Sequence, residues 1–145
     1  MGRMTPMAEI RFTVYGEPIA QGRPKFARVK NHVVAYDPAK SKNYKSRVLA
    51  AALEVKPEKP LEGPLALIVT IYRTIPKSFS KKKREQAISG YIRPTTKPDV
   101  SNICKGVEDA LKGVIWRDDS QVVTMYASKY YDESPRVEIC VKEAI

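Results

Sequence analysis

Between Glu9 and Tyr15 polar and apolar residues alternate, with Ile10, Phe12 and Val14 on one side and Glu9, Arg11, Thr13 and Tyr15 on the other. That period of two predicts a half-buried strand over residues 9–15. Residues 16–37, GEPIAQGRPKFARVKNHVVAYD, read as a loop and a hairpin. Pro38 then opens a helix reaching about Glu54, with Tyr44, Val48, Leu49, Ala52 and Leu53 as its apolar side. Pro57, Pro60, Gly63 and Pro64 interrupt the chain. Residues 65–72 are apolar on both faces, which predicts a strand in the middle of a sheet. Residues 122–130 and 136–142, joined by DESP, predict a final hairpin. This order argues for a single α+β domain over residues 1–145, with two main helices packed on a mixed or antiparallel sheet.

The segment from 99 to 111 is the most regular. Wound at 100° per residue, Val100, Ile103, Cys104, Val107, Ala110 and Leu111 fall within an arc of roughly 120°, wide enough to lie on a sheet. Asn102, Lys105 and Asp109 form a polar stripe nearly opposite. Lys112 sits in the last turn, and Gly113 can take the left-handed conformation that ends helices. Asp99 stands at the N-cap position, where a carboxylate accepts backbone N–H bonds and meets the positive helix end. Asp118 and Asp119 follow just after the helix and do no capping for it. Carboxylates at both ends of a short amphipathic helix, in a basic chain, suggest a metal-dependent nuclease. Asp109 is also placed to pair with Lys105 at i+4, an ion pair worth about 0.3–0.5 kcal/mol.

Charge narrows the partner. The chain has 26 Lys+Arg against 16 Asp+Glu, a formal net charge of +10. Such a field attracts polyanions, nucleic acid first among them. The basic residues concentrate in two stretches. Arg23, Lys25 and Arg28 are threaded around Pro24 and Phe26, while Lys77, Lys81, Lys82, Lys83 and Arg84 precede the PTTKPD entry, with Lys97, to the acidic helix. Each phosphate neutralised releases counterions, so a handful of contacts makes affinity fall steeply with salt. A membrane is the poorer partner, because no apolar stretch of 18 residues occurs and residues 1–10 lack a signal-peptide core; cytoplasmic residence is the expectation.

The run PDVSNICKGVEDAL followed by WRDDSQV resembles the signature of the RusA family of Holliday-junction resolvases, in which an Asp-x-Asp-Asn-x-x-Lys helix start precedes Asp-Asp-x-Gln-Val. Asp99 falls on the first family aspartate, Asn102 on the asparagine, Lys105 on the lysine and Asp119 on the last catalytic aspartate, with Asp118 before it and Gln121 after. Ser101 departs from the pattern, standing where the family commonly places its second aspartate. The specific match spans residues 97–121.

The resemblance implies a RusA-like fold and a homodimer that cuts branched DNA, the four-way junction, at two matching strands. It also implies Asp99 and Asp119 as ligands of Mg²⁺, with Mn²⁺ an alternative, and Asp118 as a replacement for the carboxylate missing at 101. Lys105 would stabilise charge at the phosphate. Magnesium retains several waters, so two or three aspartates suffice as protein ligands. The alternative is a non-catalytic branched-DNA-binding protein of the same fold, motivated by Ser101. An RNA-binding reading rests on charge alone and lacks an RNP-like aromatic signature.

Other chemistries find little support. Cys104 and Cys140 are too few and too widely spaced for a disulfide framework or zinc site, and both sit at apolar positions that predict core thiols. His32 falls in the predicted hairpin turn, and no serine-nucleophile elbow accompanies it.

Overall fold

The computed structural model describes residues 9–20, 25–36 and 39–144. In chain order they form β1 (Ile10–Tyr15), β2 (Lys25–Val29), β3 (His32–Tyr36), α1 (Ala39–Leu53), β4 (Leu65–Thr74), α2 (Lys81–Ile88), α3 (Val100–Leu111), β5 (Val122–Asp132) and β6 (Arg136–Glu143), with a 3₁₀ turn at Asp119–Gln121. Four strands make one sheet in the order β1-β6-β4-β5, and β2 and β3 pair as a separate ribbon. The expected α+β architecture is borne out.

Strand register explains where the core lies. In the antiparallel pairs Phe12↔Ile139, Val14↔Val137, Leu67↔Val141 and Ile71↔Val137, both members are buried and share one face of the sheet. Tyr44, Val48 and Ala52 of α1 and Ile103, Cys104, Val107 and Leu111 of α3 close over that face. Leu65, Leu67, Val69 and Ile71 are fully buried in β4, and burying each such side chain contributes about 1.5–3 kcal/mol. The opposite face is shallower, with Arg11, Thr13, Ile68, Thr70, Glu138 and Cys140 lining an open depression. The apolar arc expected of α3 is the one that packs.

Two elements depart from expectation. The final pair is not a hairpin: β4 lies between the two strands, running parallel to β5 and antiparallel to β6. Residues 133–135 carry the chain over the end of β4, where Thr74 pairs with Asp132 and Tyr72 with Arg136. A third helix, α2, forms in the basic stretch. Its N-cap Ser80 accepts from the Lys83 N–H at 3.1 Å, and Ala87 is its buried residue.

Candidate active site

Helix α3 is held at its N-terminus by two cations of the sheet. The Lys129 ammonium, projecting from β5, donates to the carbonyls of Thr96 at 2.7 Å and Pro98 at 3.0 Å. The Arg73 guanidinium of β4 donates to the Lys97 carbonyl and pairs with Glu17 at 3.2 Å. The backbone leading into Asp99 is thereby tied to both strands. Asp99 has the extended backbone of an N-cap (φ −70°, ψ 143°), yet its side chain makes no capping hydrogen bond. The capping contact expected from sequence is absent, and an exposed carboxylate remains at the positive end of the helix.

Along α3 the polar side chains stay in solvent. Asn102, Lys105 and Asp109 are exposed. The i,i+4 pair expected between Lys105 and Asp109 does not form, and Lys105 has no ion pair or hydrogen bond among the described residues. Ser101, Lys105 and Glu108 follow at i, i+4 and i+7 and share a second stripe of the helix. Glu108 is half-buried, and its carboxyl is raised above the usual range by desolvation, then by the charges of Asp119 and Asp109. Asp119 is thus an electrostatic neighbour of the last turn of α3.

The segment after α3 folds as a tight knot around Gln121. Its side-chain oxygen accepts from the N–H groups of Arg117 at 2.9 Å and Asp118 at 3.0 Å. Its amide nitrogen donates to the carbonyls of Leu61 at 2.9 Å and Gly63 at 3.1 Å. Asp118 caps the 3₁₀ turn, accepting from the Ser120 N–H at 3.0 Å and from its hydroxyl, and faces Lys112 at 3.4 Å. The Ser120 hydroxyl and N–H, and then Lys112, hold the Asp118 carboxyl below its ordinary range. Both Asp118 oxygens are therefore engaged. Asp119 differs: one oxygen accepts from the indole N–H of the fully buried Trp116 at 2.8 Å, and among the described residues no bond is made by the other. A rigid core side chain aims this carboxylate.

The basic residues lie at several places. Lys81, Lys82 and Lys83 are exposed on the first turn of α2, with the Lys83 ammonium 4.2 Å from the centre of the Phe79 ring. Arg84 is half-buried and lies 3.9 Å from Glu133. Lys97 is exposed immediately before α3, and Arg28 is exposed on β2. Arg23 lies outside the described residues, as does the side chain of Lys25. Cys104 and Cys140 are buried, as expected, and burial pushes the Cys104 thiol up to about 11.

Sequence reasoning named Gln121 only as a motif position, and it missed Lys129, Trp116 and Glu108 as contributors. Only Lys129 carried a signal, a charge at a core-facing register position level with buried Ile71. Among the described residues of one chain no three Asp, Glu, His or Cys side chains gather at metal-binding spacing.

Comparison with known proteins gives the family. The profile of the family described as Endodeoxyribonuclease RusA matches residues 15–142, a span running from the end of β1 into β6. The chain is 52% identical over 136 residues to the uncharacterized protein YqaN of Bacillus subtilis (strain 168), covering 92% of this chain and 96% of that protein. It is 30% identical over 138 residues to the crossover junction endodeoxyribonuclease rusA of Lactococcus phage r1t, covering 93% and 97%. With the profile spanning most of the chain and both carboxylate-bearing segments, the chain belongs to the RusA endodeoxyribonuclease family.

Proposed function

We propose that this protein is a divalent-cation-dependent, structure-specific endodeoxyribonuclease that resolves Holliday junctions in DNA recombination and repair, acting as a homodimer. The observation that carries the reading is the state of Asp99: at an N-cap position, on a backbone fastened by Arg73 and Lys129, its carboxylate is not spent on capping. A carboxylate held at the positive end of a helix in a chain of net charge +10 is placed to serve an ion and a phosphate.

The donor chemistry fits Mg²⁺ or Mn²⁺. Asp99 and Asp119 offer hard carboxylate oxygens, and such ions retain water in their remaining positions. Bound there, the ion would shield the phosphate charge and acidify a water. Lys105, without an ion pair among the described residues, stands on the same helix as Asp99, available to a phosphate oxygen where charge develops. Asp118 could reach an ion only by releasing Ser120 and Lys112. Lys81, Lys82, Lys83 and Lys97, exposed and preceding Asp99 in the chain, are assigned to DNA binding, with Arg84, Arg28, Lys25 and Arg23 assigned to the same role.

The length of the helix supports two subunits. Asp99 stands at one end of α3, and Glu108, which feels the Asp119 charge, lies about 13 Å further along the axis at 1.5 Å per residue. Each site would therefore combine Asp99 and Lys105 of one subunit with Asp119 of the partner subunit. A two-fold dimer of that kind offers two equivalent sites to a junction that must be cut twice.

The test is incubation with a synthetic four-way junction and Mg²⁺ in competition with linear duplex. Paired, symmetric nicks in the junction are expected, abolished in Asp119→Asn while junction binding persists. Junction binding with no cleavage under Mg²⁺ or Mn²⁺ would leave a branched-DNA-binding protein, the outcome that Ser101 would explain. Equal binding to junction and duplex would remove the structure-specific reading altogether.

A further inference from the structure

Helix α2 ends on Gly90, whose positive φ of 84° turns the chain back. The Gly90 N–H donates to the Ala87 carbonyl at 3.1 Å and the Tyr91 N–H to the Gln86 carbonyl at 2.9 Å, so the backbone there is fixed. In such a closure the residue after the glycine commonly lays an apolar side chain on the last turn of the helix. Tyr91 meets Gln86 and Glu85 at those positions, and its side chain stays 81% exposed. No large hydrophobic side chain among the described residues is more exposed. Nor does its ring meet another ring or a cation among them, whereas Phe79 carries Lys83 and Tyr131, and Tyr130 carries Arg93 and Tyr72. Tyr91 therefore presents a free aromatic face on a fixed backbone.

The loop that bears this ring leads to the candidate site. Arg93 donates to the Lys129 carbonyl at 3.0 Å, the Lys129 ammonium donates to the carbonyls of Thr96 and Pro98, and Pro94 is buried. Tyr91 stands two residues before this fastening and Asp99 one residue after it, so ring and carboxylate hang from the same residue of β5. The surroundings select the ligand. Residues 77–97 contain seven Lys and Arg against one acid, Glu85, and Lys81, Lys82, Lys83 and Lys97 are exposed. A free aromatic face among cations suits a partner with an anionic backbone and planar rings, which describes nucleic acid and neither an apolar peptide nor a lipid surface.

From this placement we infer that Tyr91 stacks on an unstacked nucleobase, the kind that DNA exposes at a branch point. In continuous duplex both faces of every interior base are covered, so a stacking side chain gains its contact only where the stack is broken. Tyr91 is thereby a specificity-determining residue: the lysines hold any DNA through its phosphates, and the ring favours the branch. The inference rests on the proposed DNA substrate and deepens it. Its test needs neither metal nor cleavage, so the two can fail separately.

The experiment measures binding of the full chain by fluorescence anisotropy in EDTA, with a synthetic four-way junction and a linear duplex of matched length as probes. Tyr91→Ala is expected to bind the junction about fivefold or more weakly and the duplex as wild type does, because a stacked base is lost and no phosphate contact is. Tyr91→Phe should bind both probes like wild type, since the ring face and not the hydroxyl makes the contact. A Tyr91→Ala variant within about twofold of wild type on the junction, or weakened equally on both probes, would overturn the inference, as would Tyr91→Phe behaving like Tyr91→Ala. A measurement on the wild type alone decides the matter without any substitution: a 5-iodouracil at the branch point should photo-cross-link to residue 91, and cross-links confined to other residues would overturn the inference. A wild type that binds junctions through Tyr91 and never cuts them with Mg²⁺ or Mn²⁺ would retire the nuclease reading alone. One that cuts junctions while Tyr91→Ala binds them unchanged would retire this inference alone.

Discussion

Gln121→Ala tests whether the knot after α3 holds Asp119 in place. The amide makes four hydrogen bonds, two to the carbonyls of Leu61 and Gly63 and two from the N–H groups of Arg117 and Asp118. A net hydrogen bond is worth about 0.5–1.5 kcal/mol, and Arg117, Asp118 and Gly63 are exposed enough to be rehydrated, so a total near 2 kcal/mol is expected rather than four full contributions. For a domain of this size that lowers Tm by about 4–8 °C. Thermal unfolding followed by circular dichroism measures it. The same variant should lose junction cleavage at temperatures where it is still folded, because the 3₁₀ turn bearing Asp119 loses its tie to residues 61–63. A Tm within about 1 °C of wild type with full activity would refute a scaffolding role for Gln121.

Other expectations follow from the same geometry. Lys129→Met removes both ammonium bonds to the carbonyls of Thr96 and Pro98; hydrogen exchange should accelerate over residues 96–102 and activity should fall, and unchanged exchange would contradict the anchoring. Ser101→Asp adds a carboxylate one turn ahead of Lys105 and should lower the Mg²⁺ concentration needed for half-maximal cleavage, a higher requirement arguing against a ligand at 101. Burial raises the Cys104 thiol to about 11, so between its ordinary 9.0 and 11 the unfolded chain sheds the proton first and stability falls as pH rises, at most about 1.4 kcal/mol per pH unit. Urea unfolding of Cys104→Val should show a flatter decline over that range, and an identical decline would contradict the burial argument.

Much of this fold is legible in the residues. The arc Val100, Ile103, Cys104, Val107 and Leu111 needs no tertiary knowledge to be placed on a sheet, and the apolar run of β4 marks the fully buried strand it proves to be. Helix α2 was illegible because KKKREQAI buries only Ala87 and has no apolar period; Ser80 supplies a local cap instead. Strands β5 and β6 looked like a hairpin because strands adjacent in sequence usually pair. Residues 133–135 suffice to step over β4, and no local pattern distinguishes that step from a turn. At the site, the motif residues were readable by type and spacing. Whether Asp99 would be consumed by capping, Lys105 by Asp109, or Asp118 by Ser120 depended on side-chain geometry, which resolved those cases differently. Trp116 is fully buried, and its indole bond to Asp119 joins packing to the candidate chemistry.

The most direct test of the account mixes two inactive proteins. Asp99→Asn and Asp119→Asn are each expected to bind a four-way junction without cutting it. If each site combines Asp99 of one subunit with Asp119 of the partner subunit, re-equilibrated mixed dimers keep one intact pair and regain Mg²⁺-dependent nicking of a single strand. If the mixture, shown by mass to contain mixed dimers, stays as inactive as its components, the shared carboxylate site is contradicted.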